Sequence, residues 1–191
     1  MIDLVRDLLT RHSPVKSDPR INPPYRAAVL VPLVCVEDTV SVILIHRTED
    51  MGPHSGQMGF PGGMSESTDS GDLSFTALRE TSEELGIDTS RIELAGRLSE
   101  LITWTSEILV RPYVGLLPEL PRFVPDPVEV QSVHVARLQE MLASVMEEDN
   151  PFGLPGKVYP VDDKPVWGLT ARIITELLEV LGDSVLGMCD S

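Results

Sequence analysis

Ile2, Val5, Leu8 and Leu9 recur three and four residues apart, so residues 2–11 are predicted to form an amphipathic helix that packs on the domain or on a partner chain. A polar, proline-rich connector, Pro14 to Pro24, follows. From Arg26 the pattern changes to a continuous apolar run, Ala27 to Val36, predicted as a buried strand interrupted at Pro32, where a ladder donor is missing. Glu37-Asp38 reads as a turn and Val40 to His46 as the returning strand of a hairpin. Helical spacing resumes after Asp72. At ~100° per residue, Phe75, Leu78, Ser82 and Leu85 share one face and Glu80, Glu83 and Glu84 the opposite one, with Gly86 just past the helix end. Arg91 to Leu98 alternates as a strand with Ile92, Leu94 and Gly96 on one face; Leu101 to Thr105 is a loop; Ile108 to Leu117 is a strand carrying Arg111 and Tyr113. Glu119 to Pro127 is too rich in proline for regular structure, and the strand from Pro127 to Val135 leads into a helix over 136–147. Asn150 to Val166 reads as a loop or short hairpin. Thr170 opens a last helix with Ile173, Ile174, Leu177, Leu178 and Leu181 at core spacing, and the tail after Gly182 is expected to fray.

The three glutamates on one helix face carry an energetic cost. Like charges at helical neighbour spacing cost roughly 0.2–0.5 kcal/mol per pair, and carboxylates near a helix C-terminus about 0.3–1 kcal/mol each. A bound divalent cation would reverse both penalties, and hard cations such as Mg²⁺ take carboxylate oxygens while sharing their shell with substrate phosphates. A solvated acidic face is the bland alternative.

Composition narrows the setting. A chain of 191 residues fits one domain, and 42% hydrophobic with 24% charged residues reads as soluble and globular. The expected division is an N-terminal helix and connector over 1–24, a single domain over 25–182 and a tail over 183–191. No apolar run approaches the ~20 residues of a membrane span. Met1 to His12 carries Asp3, Arg6 and Asp7 inside its apolar pattern, unlike a signal peptide, so a cytoplasmic protein without membrane attachment is expected. Cys35 and Cys189 make neither a disulfide framework nor a metal pattern. The net charge of −15 argues against a nucleic-acid partner, and a small phosphorylated ligand would need metal ions and local cations such as Arg47 or Arg97.

The order of elements around the glutamates is more specific. Gly62-Gly63, a polar loop, then Arg79-Glu80-Thr81-Ser82-Glu83-Glu84-Leu85-Gly86-Ile87 resembles the Nudix hydrolase box, matching it at Gly63, Arg79, Glu80, Glu83, Glu84, Gly86 and Ile87. The spacing from Gly63 to Arg79 is longer than the basic box, Thr81 stands at an apolar position, and the box's loop glutamate could be Glu66, Asp69 or Asp72. The resemblance implies an α/β Nudix fold, a mixed sheet sandwiched between helices. It implies water attack on a pyrophosphate with Mg²⁺ or Mn²⁺ held by Glu80 and Glu84, a bridging or water-mediated contribution from Glu83, and the Gly63 carbonyl. Arg79, four residues from Glu83, suits an orienting pair. The general base is open between Glu83, a loop acid and Glu129, which matches a late-strand glutamate of the family.

A second stretch is similar to the Nudix enzymes that act on coenzyme A. It matches that pattern at Arg47, Gly56, Phe60, Pro61, Gly62 and Gly63, has Thr48 where Ser or Ala is usual, and has Gly52 where a second Arg is expected. Trp167-Gly168-Leu169-Thr170-Ala171 also looks like that branch, so the resemblance spans most of residues 26–182. It implies a substrate pocket with Arg47, Phe60, Gly62 and Trp104; Trp104 could stack on adenine or belong to the core, and His54 could donate to a phosphate or cap its loop. The implied reaction converts coenzyme A or acyl-coenzyme A to 3′,5′-ADP and (acyl-)4′-phosphopantetheine. Alternatives are ADP-ribose, a nucleotide sugar or a dinucleotide as substrate, or a non-catalytic nucleotide sensor. Homodimers are common in the family.

Overall fold

The computed structural model describes residues 1–18, 23–49, 55–103, 107–149, 153 and 155–186. Helix α1 (Ile2–Arg11) precedes strands β1 (Tyr25–Val36) and β2 (Thr39–Arg47). Glu37 and Asp38 both adopt left-handed φ, 49° and 59°, as a two-residue type I′ hairpin requires. Pro32 does not interrupt β1. Leu30 N–H donates to the Pro61 carbonyl, and Pro32 faces the same edge two residues on, between the residues that pair with β4 and those that pair with β2. Its missing donor thus falls where the neighbouring strand changes.

The stretch before the box is not only loop. It forms β3 (Met58–Gly59), paired with β2, and β4 (Gly62–Met64), paired with β1. Helix α2 (Leu73–Leu85) follows, then β5 (Glu93–Arg97), β6 (Leu101–Ile102) and β7 (Ile108–Leu117). A register shift between Leu94 and Gly96 breaks the expected alternation in β5, leaving Leu94 exposed while Gly96 abuts Leu9 of α1. Strand β8 (Val130–Arg137) stays paired with β2 as far as Arg137, so the helix expected over 136–147 is reduced to α3 (Leu138–Ser144). Of the loop or short hairpin expected over 150–166, the hairpin is what forms, β10 (Pro155–Val161) with β11 (Lys164–Val166), and β9 (Met146–Asp149) extends it to a small three-stranded sheet. Helix α4 (Gly168–Leu186) is broken at Gly182, but Val185 and Leu186 beyond the break are buried, so residues 183–186 are not a frayed tail.

The main sheet has the order β3-β2-β1-β7-β5, with β8 beside β2, β4 beside β1 and β6 beside β7. Strands β1 and β7 run parallel and the other pairs antiparallel, which makes the sheet mixed. α2 covers one face through Leu73, Ala77 and Leu85 on Ala28, Leu30, Val34 and Ile45. α1, α3 and α4 cover the other through Val5, Leu9, Met141, Ile174 and Leu177. The connector is pinned: Ser99 Oγ accepts from Val15 N–H, and Glu100 accepts from Ser17 N–H, both at 2.9 Å. Among the described residues no helix is long and apolar enough to cross a membrane.

Candidate active site

α2 begins where Asp72 accepts from Ser74 N–H at 2.9 Å, an N-cap, and ends at Gly86 in the left-handed region (φ 63°). Its buried face differs from the expected one. Leu73, Thr76, Ala77, Thr81, Glu84 and Leu85 point inward, whereas Phe75 is 60% exposed and Ser82 is exposed. The three glutamates therefore do not share one solvent face: Glu84 is 1% exposed, Glu80 is half-buried and Glu83 points outward. Thr81, the small polar residue in an apolar position, is buried because its Oγ1 donates to the Ala77 carbonyl at 2.6 Å.

Two glycines bring backbone up to the glutamates. Gly62 N–H donates to Glu84 Oε2 at 2.8 Å. Only glycine suits position 62, where φ is 153° and a Cβ would lie 2.3 Å from the Ala28 carbonyl oxygen. At Gly63 a Cβ would lie 2.5 Å from Glu80 Cδ. Arg47 enters from the end of β2, with Nη2 3.0 Å from Glu84 Oε1 and 3.9 Å from Glu129 Oε2. Thr48 holds the neighbouring strand, its N–H donating to the Glu129 carbonyl at 3.1 Å and its hydroxyl to the Val128 carbonyl at 2.7 Å.

Arg79 is committed to structure. Its Nε and Nη2 donate to the Asp69 carboxylate at 3.0 and 3.2 Å, Nη2 also reaches the Met64 carbonyl, and Nη1 lies 2.9 Å from Glu80 and 3.0 Å from Glu83. The three loop acids have separate structural tasks. Asp72 caps α2, Glu66 caps the short 3₁₀ turn Ser67–Asp69, and buried Asp69 anchors Arg79 while accepting from Thr76 Oγ1 and Glu66 N–H. Sequence alone left those three acids equivalent, because only the fold of the turn turns Asp69 inward.

Burial pushes the Glu84 carboxyl up to about 7, against the lowering effect of Arg47 and Gly62 N–H, with Glu80 and Glu129 adding to the rise. Burial also raises Glu80, partly offset by Arg79. The hydrogen bonds from Arg79 and from Glu66 N–H hold Asp69 well below the usual carboxylate range. Glu84 Oε1 is buried and accepts no hydrogen bond among the described residues. Glu80 and Glu83 are turned onto Arg79, and no three acidic, histidine or cysteine donors gather round one point among the described residues. The donors are nevertheless those of a hard divalent cation: Glu80 and Glu84 carboxylates with the Gly62–Gly63 backbone against them, and one buried oxygen, Glu84 Oε1, that accepts no hydrogen bond among the described residues.

The structure does not bring every expected residue here. Phe60 is 4% exposed and packs in the core on the α4 side of the sheet. Trp104, Gly52 and His54 lie outside the described residues.

A carboxylate-bearing helix laid on a mixed sheet, with a glycine pair against its acids, is an α/β/α arrangement that gathers the donors of a hard divalent cation at one end of the helix. The chain belongs to the Nudix hydrolases: the family model described as NUDIX domain matches residues 24–152. It is 34% identical over 189 residues to the uncharacterized Nudix hydrolase NudL of Pectobacterium atrosepticum, covering 94% of this chain and 95% of that protein. It is 32% identical over 182 residues to the mitochondrial Nudix hydrolase 15 of Arabidopsis thaliana, covering 88% of this chain and 62% of that one. The fold is similar to the NUDIX domain of Shewanella oneidensis NrtR, solved in complex with ADP ribose, at a TM-score of 0.60 and 18% identity over 92% of this chain and 97% of that one.

Proposed function

We propose that this chain hydrolyses the pyrophosphate of coenzyme A or an acyl-coenzyme A to 3′,5′-ADP and (acyl-)4′-phosphopantetheine, with Mg²⁺ or Mn²⁺, in the cytoplasm. The observation that carries the metal-dependent part is Glu84 Oε1, a buried carboxylate oxygen that faces Arg47 and accepts no hydrogen bond among the described residues, beside Glu80 and the Gly62–Gly63 backbone. Glu80 and Glu84 would hold the cation, with Glu83 and the Gly63 carbonyl contributing. When bound, such an ion lowers the pKa of a coordinated water and neutralises charge on phosphate oxygens.

The remaining roles belong to the chain itself. Arg79, anchored on Asp69, positions the Glu80 and Glu83 carboxylates. Arg47 is the cation beside Glu84 and, unlike Arg79, is not anchored on Asp69, so it is placed to meet a phosphate oxygen. Glu83, exposed, and Glu129, 3.9 Å from Arg47, are the carboxylates left to take the proton of the attacking water. The coenzyme A assignment is supported by Phe60-Pro61-Gly62-Gly63 and Trp167-Gly168-Leu169-Thr170-Ala171. A second substrate class, ADP-ribose or another nucleotide derivative, is favoured by Gly52 in place of an arginine and by the ADP ribose bound to the similar Shewanella domain.

Purified protein is incubated with coenzyme A, ADP-ribose, dinucleoside polyphosphates and nucleoside triphosphates under Mg²⁺ and under Mn²⁺, and the products are separated by anion exchange. Conversion of coenzyme A to 3′,5′-ADP is the expected result. Activity on ADP-ribose but not coenzyme A would select the second class, and activity on triphosphates alone would overturn the coenzyme A assignment.

A further inference from the structure

The cation facing the buried Glu84 oxygen is part of the protein, and its contact is an unusual one. Glu84 divides its two oxygens between different partners. Oε2 accepts a directed hydrogen bond from Gly62 N–H at 2.8 Å, whereas Oε1 lies 3.0 Å from Arg47 Nη2 without forming a hydrogen bond. An ion pair without a directed bond resists exchange by another cation less than a bidentate arginine fork does. Arg79 shows the contrast: it is tied to Asp69, Glu80, Glu83 and the Met64 carbonyl at once, so its guanidinium is not free to leave.

Arg47 also has somewhere to go. Its guanidinium is partly exposed, and Glu129 Oε2, on a side chain that is also partly exposed, stands 3.9 Å away. A register shift falls between His46 and Arg47, which pair with Ser132 and Val130 and leave Gln131 unmatched, so the ladder is irregular beside Arg47. The Arg47 main chain stays fixed, its N–H donating to the Gln57 carbonyl at 3.1 Å. The backbone is held while the side chain can exchange partners.

We propose that Arg47 is the resident counter-ion of Glu84, and that a divalent cation arriving at Glu84 Oε1 displaces it and so releases it for the substrate's phosphate. Without metal, Arg47 neutralises a carboxylate that would otherwise be buried and unpaired. With metal, Oε1 passes to the ion, Gly62 N–H keeps Oε2 in place, and Arg47 turns toward Glu129 and the incoming phosphate oxygens. Metal loading and substrate capture are then coupled through one side chain: the arginine costs metal affinity before substrate arrives and adds affinity afterwards. This rests on the reading of Glu84 as a cation ligand.

The test is Mn²⁺ binding, followed by electron paramagnetic resonance of the free ion, for the wild-type chain and for Arg47→Gln, Arg47→Lys and Glu84→Gln, each checked for a cooperative thermal melt. Without nucleotide, Arg47→Gln is expected to bind Mn²⁺ about tenfold tighter than wild type, the order of one close charge pair, and Arg47→Lys to stay near wild type. With methylenediphosphonate added, the order should invert, wild type holding Mn²⁺ and diphosphonate together more tightly than Arg47→Gln. Equal or weaker Mn²⁺ binding by Arg47→Gln without diphosphonate would overturn the counter-ion proposal, and diphosphonate binding by Arg47→Gln as tight as wild type would overturn the release. Unchanged Mn²⁺ binding by Glu84→Gln would overturn the cation reading itself, a separate failure from the other two.

Discussion

Asp69→Asn isolates the one loop acid that the fold turns inward. The Asp69 carboxylate accepts four hydrogen bonds, from Arg79 Nε at 3.0 Å, Arg79 Nη2 at 3.2 Å, Thr76 Oγ1 at 2.8 Å and Glu66 N–H at 2.9 Å. Asparagine keeps one acceptor oxygen and puts an NH₂ group where the other stood. Arg79 Nε, which donates to Oδ1, or Arg79 Nη2, Thr76 Oγ1 and Glu66 N–H, which donate to Oδ2, must then meet donor against donor. Hydrogen bonds to charged groups are worth about 1.5–3 kcal/mol each, and breaking a fully buried pair costs about 3–5 kcal/mol. Because Arg79 stays partly exposed, the expected loss is lower, about 2–4 kcal/mol. For a chain of this length that lowers the melting temperature by roughly 4–15 °C. The assay is urea unfolding followed by circular dichroism, with Asp72→Asn alongside. Asparagine caps a helix as well as aspartate, so that control should stay within about 0.5 kcal/mol of wild type. A loss below about 0.5 kcal/mol for Asp69→Asn, or equal losses for both variants, would refute Asp69 as the anchor of Arg79.

Other outcomes follow from the same geometry. Glu84→Gln should keep the fold and lower turnover by about 10²-fold or more, measured as initial rates with Mn²⁺ at saturation; an unchanged rate would remove Glu84 from the site. For the metal-free protein, Glu84 binds a proton more tightly folded (about 7) than unfolded (4.5), so its contribution makes stability fall as pH rises from about 4.5 to about 7, by at most about 3 kcal/mol. Unfolding free energies of wild type and Glu84→Gln across that interval should therefore diverge, and parallel curves would contradict the shift. At Glu100, burial raises the carboxyl, but the hydrogen bonds from Ser17 and Arg111 outweigh it and hold it at about 2; the stability this provides is complete above pH 4.5 and is lost as pH falls toward 2. Glu100→Gln should flatten that acid limb. Gly63→Ala would set a methyl 2.5 Å from Glu80 Cδ, so turnover should fall by more than tenfold while the melting temperature moves by only a few degrees, read from paired rate and melting measurements.

How much of this was legible in the sequence depended on whether the signal was local. The β1–β2 hairpin could be read from Glu37-Asp38 between two apolar runs, and α1 and α4 from their helical spacing, because each signal lies within the element it describes. The parallel pairing of β1 with β7 joins residues about 80 positions apart, from Tyr25 with Ile108 to Val34 with Leu117, and no local pattern announces it. Strands β3 and β4 are two and three residues long and rich in glycine, too short for any periodicity. Helical spacing puts Phe75, Leu78, Ser82 and Leu85 on one face of α2, yet Glu84 and Thr81 point inward because backbone and side-chain partners satisfy them, and Phe75 is left outside. Tertiary hydrogen bonding decided that face against hydrophobicity. For the same reason the glutamates, read as one solvent patch, form a graded set from buried Glu84 to exposed Glu83. Phe60, placed in the pocket by resemblance, follows the alternation of its own strand segment into the core beside Met58.

The central claim is metal-dependent cleavage of a pyrophosphate by the Glu80–Glu84 cluster. Its most direct test is ³¹P nuclear magnetic resonance of coenzyme A incubated with wild-type protein and Mg²⁺ in ¹⁸O-enriched water, with chelator and Glu84→Gln as parallel samples. The pyrophosphate resonances should give way to two new phosphomonoesters, one carrying the isotope shift, in the wild-type sample with Mg²⁺ alone. Resonances that persist in that sample would contradict coenzyme A as the substrate, and resonances that vanish equally fast with chelator or in Glu84→Gln would contradict metal-dependent cleavage by the cluster.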